Sequence, residues 1–217
     1  MHPWIPLKIA ELVAQRPAEA DEDVHFTESL VATVVEEFTS PHDVVLDPFA
    51  GYGTTLVVAE RMGRRAIGLE LTAERTELIR RRIGSSATVI NGDARRLSTF
   101  ALDPVDLCLT SPPYMTAVDH PENPLNAYET LDGDYDTYLT EIGDVFRQVA
   151  DLLRPGGHAV VNVANIKVGT TVTTLAWDMA QTISRHLTLV QESFLCWDEQ
   201  PAELTGDYCL IFQRPGA

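Results

Sequence analysis

Apolar and polar residues alternate along the chain in blocks that predict a succession of strands and helices. Short apolar runs predict buried strands, and longer stretches with apolar residues three or four positions apart predict helices. The predicted strands cover about residues 43–46, 65–69, 88–90, 105–109, 158–163, 187–197 and 208–214. The predicted helices cover about residues 7–15, 28–38, 54–62, 72–83, 136–153 and 171–185. Because strands and helices alternate over most of the chain, the pattern indicates an α/β fold with a mostly parallel sheet.

The two ends of the chain depart from this alternation. The last two predicted strands follow each other without an intervening helix and predict an antiparallel hairpin. Residues 1–24 predict a helical extension that covers one face of the core or forms a wall of the site. We expect residues 1–217 to form one domain, with residues 115–135 as a long acidic loop.

Composition narrows the kind of protein. The chain has 217 residues, 45% of them hydrophobic, which suffices for one sizeable core. It has no apolar run near the roughly 18 residues that cross a membrane and no pattern of a signal peptide. Three scattered cysteines fit a reducing cytoplasm, and six histidines without metal-ligand spacing predict no metal site. The net charge of −16 lowers the expectation of unaided binding to nucleic acid.

The first motif is a glycine turn, Asp47-Pro48-Phe49-Ala50-Gly51-Tyr52-Gly53-Thr54-Thr55, between a predicted strand and a predicted helix. Gly51 and Gly53 allow the backbone to pass close to a ligand. The helix that opens at Thr54 presents N–H groups suited to an anionic group. Glu70 ends the next strand about 20 residues later, where an acid can accept hydrogen bonds from ribose hydroxyls.

The second motif is Thr110-Ser111-Pro112-Pro113-Tyr114, at the end of the strand that covers residues 105–109. Two consecutive prolines cannot continue a sheet ladder, because neither has an N–H group to donate. The chain therefore leaves the sheet as a stiff, extended turn. α/β folds place their chemistry at such carboxyl ends of parallel strands.

Together the two motifs resemble the S-adenosylmethionine-dependent amino-methyltransferases. These enzymes modify the exocyclic amine of adenine or cytosine in DNA, and relatives act on RNA bases. The resemblance runs from about residue 25 to about residue 167. It implies a Rossmann-like methyltransferase fold, with a mostly parallel seven-stranded sheet, helices on both faces and a C-terminal antiparallel hairpin. DNA enzymes of this family usually carry a target-recognition domain, and no segment of this chain is free to be one. A site-specific enzyme would then need a partner protein, or the substrate would be RNA or single-stranded.

The resemblance implies S-adenosylmethionine as cofactor. Phe26 would contact the methionine part, or it belongs to the core. Asp93 would accept the adenine amine, or it only forms an Asx turn. A dinucleotide site is disfavoured because Leu56 stands where that fingerprint requires a third glycine. The complete predicted cofactor set is Phe26, Asp47, Pro48, Phe49, Ala50, Gly51, Gly53, Thr54, Thr55, Glu70, Leu71, Asp93 and Ala94.

The same resemblance assigns catalysis to Ser111, Pro112, Pro113 and Tyr114. Ser111 Oγ and the Pro112 carbonyl would accept hydrogen bonds from the amine while its nitrogen becomes positive. Pro113 keeps the turn extended, and Tyr114 would stack on the base. Serine at the first position weakly favours cytosine over adenine.

Charge leaves two other functions open. The loop of residues 115–135 has no Lys or Arg, but it carries Asp119, Glu122, Glu129, Asp132 and Asp134. Carboxylates around a pocket attract cations and repel phosphates. An N-methyltransferase for a cationic small molecule, peptide or protein side chain is therefore the main alternative to a nucleic-acid enzyme. A non-catalytic subunit that binds the cofactor or a partner is the third.

Overall fold

A computed structural model of the protein describes residues 1–20, 27–118, 122–127, 129–199 and 204–216. Six α-helices lie within these residues: α1 (Ile9–Gln15), α2 (Glu28–Phe38), α3 (Thr54–Arg61), α4 (Ala73–Arg82), α5 (Tyr135–Leu152) and α6 (Leu175–Ile183). Two short 3-10 helices cover Ala94–Thr99 and Pro124–Asn126. Nine strands lie in the same part of the chain: β1 (Trp4–Leu7), β2 (Val44–Asp47), β3 (Arg65–Glu70), β4 (Ala87–Asn91), β5 (Val105–Thr110), β6 (Leu153–Val168), β7 (Thr171–Thr173), β8 (Thr188–Trp197) and β9 (Leu204–Gln213).

The nine described strands form one sheet in the order β1-β8-β9-β6-β5-β2-β3-β4, with β7 paired to β6. The pairs β6–β5, β5–β2, β2–β3 and β3–β4 are parallel, so the carboxyl ends of β2, β3, β4 and β5 lie at one edge. Strand β9 is antiparallel to both β6 and β8, which confirms the predicted C-terminal hairpin. Together with the structural relatives reported below, this topology confirms the predicted Rossmann-like class of fold.

The predicted count of seven strands is wrong, because β1 and β7 are additional. Residues 4–7 form an edge strand beside β8, where the missing N–H of Pro6 leaves no gap in the sheet interior. Residues 171–173, predicted as the start of a helix, instead pair with the end of β6. All three are β-branched, and such side chains favour strands.

Helices cover both faces of the sheet, as predicted. On one face α2, α3 and α4 contribute Val31, Val58 and Ile79 to a core that also contains Val45 of β2. On the other face, α5 and α6 pack a second core around residues such as Phe146 and Met179. Thr27 caps α2 by accepting a hydrogen bond from the Leu30 N–H at 3.2 Å.

Gly68 in β3 allows this packing to be close. A Cβ atom at Gly68 would lie 2.8 Å from a methyl carbon of Leu56 and 3.0 Å from the Ala50 Cβ atom. The glycine turn and α3 therefore rest directly on β3.

In the part of the chain that the structure describes, no helix is both long and apolar enough to cross a membrane.

Candidate active site at the carboxyl edge of the sheet

A cleft of about 880 Å³ opens at the carboxyl ends of β2, β3, β4 and β5. Both predicted motifs contribute to its walls. The predicted site residues that line it are Pro48, Phe49, Gly51, Glu70, Leu71, Asp93, Ser111, Pro113 and Tyr114. The two sequence motifs, some 60 residues apart along the chain, thus meet in one cleft because parallel strands bring their carboxyl ends together.

The other predicted site residues either do not line the cleft or lie outside the described residues. Phe26 lies outside the described residues, as does Asp119. Those that are described but do not line the cleft are Asp47, Ala50, Gly53, Thr54, Thr55, Ala94 and Pro112. They shape the turns that carry the lining residues, and most of them are buried.

The two glycines of the turn serve different purposes. Both have positive φ angles, 55° at Gly51 and 84° at Gly53, which favour glycine. Gly51 lines the cleft. A Cβ atom at Gly53 would instead approach the side chain of Ile79 to 3.0 Å. Gly53 therefore permits α3 to pack against α4, whereas Gly51 combines its positive φ angle with a position at the cleft.

Asp47 joins the ends of β2 and β5 beneath the cleft. It is 2% exposed, and its Oδ1 accepts hydrogen bonds from the Thr110 hydroxyl at 2.7 Å and the Phe49 N–H at 3.1 Å. Burial raises the pKa of Asp47 to about 6, although the hydrogen bond from Thr110 opposes the shift. The carboxylate holds the first motif against the strand that leads to the second.

Glu70 supports the glycine turn from inside. Its Oε2 accepts a hydrogen bond from the Gly51 N–H at 2.9 Å. Its Oε1 accepts hydrogen bonds from the Thr72 N–H at 2.9 Å and the Thr72 hydroxyl at 2.8 Å. Each carboxylate oxygen has about two lone pairs, so Oε1 is filled and Oε2 keeps one position for a ligand.

Asp93 forms the turn that was one of its two predicted roles, and it also stands at the cleft. It lines the cleft, and it also caps the 3-10 helix by accepting a hydrogen bond from the Arg95 N–H at 2.9 Å. The Arg95 guanidinium pairs with Asp93 Oδ2 at 2.8 Å. The same guanidinium donates to Glu141 at 3.0 Å and to Asn126 Oδ1 at 2.7 Å. Sequence reasoning missed Arg95, which fastens the loop at Asn126 to the end of β4.

Polar contacts within the protein fix the Ser-Pro-Pro-Tyr turn. The Tyr138 hydroxyl on α5 donates to the Pro113 carbonyl at 2.9 Å. Ser111 Oγ donates to the Tyr114 hydroxyl oxygen at 3.4 Å, and the Tyr114 hydroxyl donates to the Asn162 carbonyl at 3.5 Å. Burial, reinforced by the Asp207 carboxylate, raises the pKa of Tyr114 well above its usual value, so the phenol keeps its proton.

The acidic residues of the predicted loop divide into different groups. Glu129 lines the cleft, beside Pro124, Leu125 and Ala127 of the same loop. Asp132 accepts hydrogen bonds from Thr130 and Asn126 within the loop. Asp134 caps α5 by accepting a hydrogen bond from the Thr137 N–H at 2.9 Å. Of these three carboxylates, Glu129 is the one placed to act on a ligand in the cleft.

Helix α4 brings cations to the cleft. Arg75 and Arg81 both belong to α4, and both line the cleft. Arg75 lies over the Tyr52 ring, with 5.0 Å between its guanidinium carbon and the ring centroid. Because Arg75 and Arg81 are six residues apart on the helix, the sequence alone gives little indication that both line the same cleft. Within the described residues, no group of three His, Cys, Asp or Glu side chains could hold a metal ion.

The fold is that of Rossmann-like methyltransferases of known structure. Among solved structures, TrmN from Thermus thermophilus matches 88% of this chain and 50% of its own, with a TM-score of 0.65 and 20% identity. The N-methyltransferase NodS from Bradyrhizobium japonicum WM9, in complex with S-adenosyl-L-homocysteine, matches 95% of this chain and 96% of its own, with a TM-score of 0.63 and 15% identity.

Sequence similarity narrows the class. Residues 10–81 match the family model described as DNA methylase. Type II methyltransferase M2.LlaDCHI of Lactococcus lactis subsp. cremoris is 38% identical over 61 residues, 28% of this chain and 23% of the relative. Type II methyltransferase M2.DpnII of Streptococcus pneumoniae is 43% identical over 56 residues, 26% of this chain and 21% of the relative. The matches thus span under a quarter of each relative, and over that part they confirm that the chain is related to the DNA amino-methyltransferases.

Proposed function

We propose that the protein is an S-adenosylmethionine-dependent N-methyltransferase that acts on an exocyclic amine of a nucleic-acid base. DNA cytosine or adenine is the first choice, and an RNA base is the second. The observation that carries the proposal is that the glycine turn and the Ser-Pro-Pro-Tyr turn line one cleft. A cofactor on one turn would thereby lie next to an amine on the other.

The cleft has groups that suit each part of the cofactor. The remaining lone pair of Glu70 Oε2 would accept a ribose hydroxyl, and Asp93 would accept the adenine amine. The turn at Gly51 would pass close to the methionine part. The cofactor supplies a methyl group on a positively charged sulfonium. The buried Asp47 carboxylate, beneath the turn, favours a cation in this part of the cleft.

The chain's own residues would prepare the acceptor. Ser111 Oγ and the Pro112 carbonyl would accept hydrogen bonds from the amine, which makes its lone pair more available. The two prolines and the contact from Tyr138 to the Pro113 carbonyl hold these acceptors in place before the reaction. Tyr114 would give the base a face for stacking, and the surrounding walls would exclude water.

The family model that matches residues 10–81 is described as DNA methylase, which supports DNA as the substrate. Target recognition would come from a partner protein, because the net charge of −16 disfavours unaided binding to DNA. Ser111 weakly favours cytosine. A cytoplasmic location, in keeping with three unpaired cysteines, belongs to the same proposal.

A second candidate is methylation of an amine on a cationic small molecule, peptide or protein side chain. The supporting observation is that Glu19, Glu74, Glu77 and Glu129 line the cleft. These carboxylates would attract a cation and oppose a phosphate. NodS, which has a similar fold, is an N-methyltransferase.

A methyl-transfer screen tests the proposal. The full chain and its Ser111→Ala variant would be incubated at low salt with tritiated S-adenosylmethionine and separate pools of DNA, RNA, peptides and amines. We expect label in DNA or RNA with the unmodified chain and much less with the variant. Label only in the amine or peptide pools would favour the second candidate.

A further inference from the structure

Asp207 on β9 is a buried carboxylate that does not line the cleft. It is 2% exposed, and among the described residues it forms no ion pair with Lys or Arg. Its oxygens accept hydrogen bonds from Trp197 Nε1 at 2.8 Å and from Asn162 Nδ2 at 2.7 Å. Burial raises its pKa to about 6. Burial of a charge without a cation costs free energy, so the position calls for an explanation.

The sheet places Asp207 next to the Ser-Pro-Pro-Tyr turn. Asp207 pairs with Ala164 across the β6–β9 ladder, and Asn162 lies two residues earlier on β6. On the other side of β6, Val161 pairs with Thr110, the residue before Ser111. Asn162 therefore stands between the carboxylate and the turn.

Asn162 connects the two groups through different atoms. Its side-chain Nδ2 donates to Asp207 and, at 3.2 Å, to the Tyr208 carbonyl. Its main-chain carbonyl accepts the hydrogen bond from the Tyr114 hydroxyl. Its side-chain Oδ1 is buried and has no hydrogen-bond partner among the described residues. The orientation of this amide is thus set from its Nδ2 side, where Asp207 is the charged acceptor.

We propose that Asp207 is a positioning residue, which through Asn162 holds the Tyr114 ring in one orientation for the acceptor. Its negative charge also acts on the phenol and favours the protonated, donating form. The stacking role of Tyr114 in catalysis rests on the proposed function, but the fixed orientation of its ring does not. A measurement on the ring can therefore test the inference without a substrate.

The test is ¹⁹F NMR of the full chain with 3-fluorotyrosine placed at position 114. We expect one narrow resonance in the otherwise unmodified protein. In the Asp207→Asn variant we expect a shifted resonance, broadened at least about twofold by exchange between ring orientations. Glu192→Gln is the matched control, because it removes an exposed carboxylate from the neighbouring strand β8 and should leave the spectrum unchanged. An unchanged resonance in a folded Asp207→Asn protein would overturn the inference.

Trp197→Phe provides a second variant if Asp207→Asn does not fold. It removes one donor to the carboxylate and leaves the charge in place. We expect a smaller shift and broadening of the position 114 resonance in the same direction. A spectrum identical to that of the unmodified protein would again contradict the positioning role.

Kinetics then separate this inference from the proposed function. With an accepted substrate, Asp207→Asn should lower kcat by about tenfold while the Kd for S-adenosylmethionine stays within about twofold. When it is combined with Asp207→Asn, Tyr114→Phe should add little to that loss, since both changes disrupt the same set of contacts from Asp207 through Asn162 to Tyr114. Fully additive losses would contradict the positioning role. Absence of methyl transfer by the unmodified chain would contradict the proposed function and leave the NMR result to decide on Asp207.

Discussion

At the scale of single residues, the Glu70 side chain both stabilises the glycine turn and stands where a cofactor would bind. It accepts hydrogen bonds that fix Gly51 and Thr72, and it also lines the cleft. Glu70→Ala should weaken binding of S-adenosylmethionine by about 1–3 kcal/mol, because charge-assisted hydrogen bonds are left unmade. Titration calorimetry measures this change. Glu36→Ala, on an exposed position of α2, is the control. Equal affinity of the Glu70→Ala and unmodified proteins would contradict the assignment.

Tyr114 should matter for the acceptor far more than for the cofactor. The glycine turn would hold the donor, whereas the Tyr114 ring would hold the base. We expect Tyr114→Ala to lower turnover or to raise the apparent KM for the acceptor, with the Kd for the cofactor nearly unchanged. Steady-state kinetics and calorimetry on the same preparation distinguish the two effects. Methylation at the normal rate by this variant would refute the stacking role.

Asp47 predicts a pH dependence of folding stability. Its pKa is raised from an ordinary value of 3.8 to about 6 in the folded protein, so the folded state binds more protons than the unfolded state between these values. The stability of the unmodified protein relative to Asp47→Asn should therefore fall as the pH rises from about 4 to about 6, by at most about 3 kcal/mol, and then level off. Urea unfolding of both proteins at several pH values measures this difference. A difference independent of pH would show that Asp47 titrates normally.

At the scale of secondary structure, the sequence predicted the elements whose signals are local. Strands β2 and β5 are short apolar runs before turn residues, and α2 begins at its Thr27 cap. β7 was assigned to the start of the following helix, although it pairs with the nearby end of β6. β1 was missed because it is held by pairing with the distant strand β8 rather than by its own pattern. Arg95 was missed for the same reason, since its partners Asn126 and Glu141 are far away in the chain.

The site could be predicted only in part for a related reason. A motif shows which residues stand near a strand end, but it does not show which of them face a ligand. Asp47 and Gly53 belong to the glycine turn, yet the structure gives them packing and hydrogen-bonding partners inside the protein. Asp207 has no motif around it and becomes conspicuous only once β9 is placed beside β6.

Packing between β3 and α3 gives a prediction at this scale. A methyl group at Gly68 would meet Leu56 and Ala50, both buried. Gly68→Ala should therefore destabilise the protein by about 1–3 kcal/mol, and it should weaken cofactor binding by pushing the glycine turn away from β3. Gly216→Ala, where an added Cβ atom meets nothing within 4 Å, is the control. Urea unfolding with unchanged midpoints for both variants would contradict this description of the contact.

At the scale of the whole molecule, charge decides between the two candidate functions. Glu129 lines the cleft, whereas Asp134 caps α5, so a change at Glu129 tests the cleft without removing a helix cap. If the substrate is nucleic acid, Glu129→Gln should raise its affinity, most of all at low salt where screening is weakest. If the substrate is a cation, the same change should lower its affinity. Binding measured by fluorescence anisotropy over a range of salt concentrations reports the sign, with Glu36→Gln as control.

The central claim is that the two turns bring a methyl donor and a base amine together. Its most direct test is mass spectrometry of nucleosides released from DNA and RNA after incubation with the full chain and S-adenosylmethionine. We expect a cytosine or adenine methylated on its exocyclic nitrogen, with cytosine in DNA favoured. The product should be lost in Ser111→Ala and reduced in Tyr114→Ala, while both variants still bind the cofactor. Methylation of an amine substrate, with none on DNA or RNA at any salt concentration, would contradict the claim.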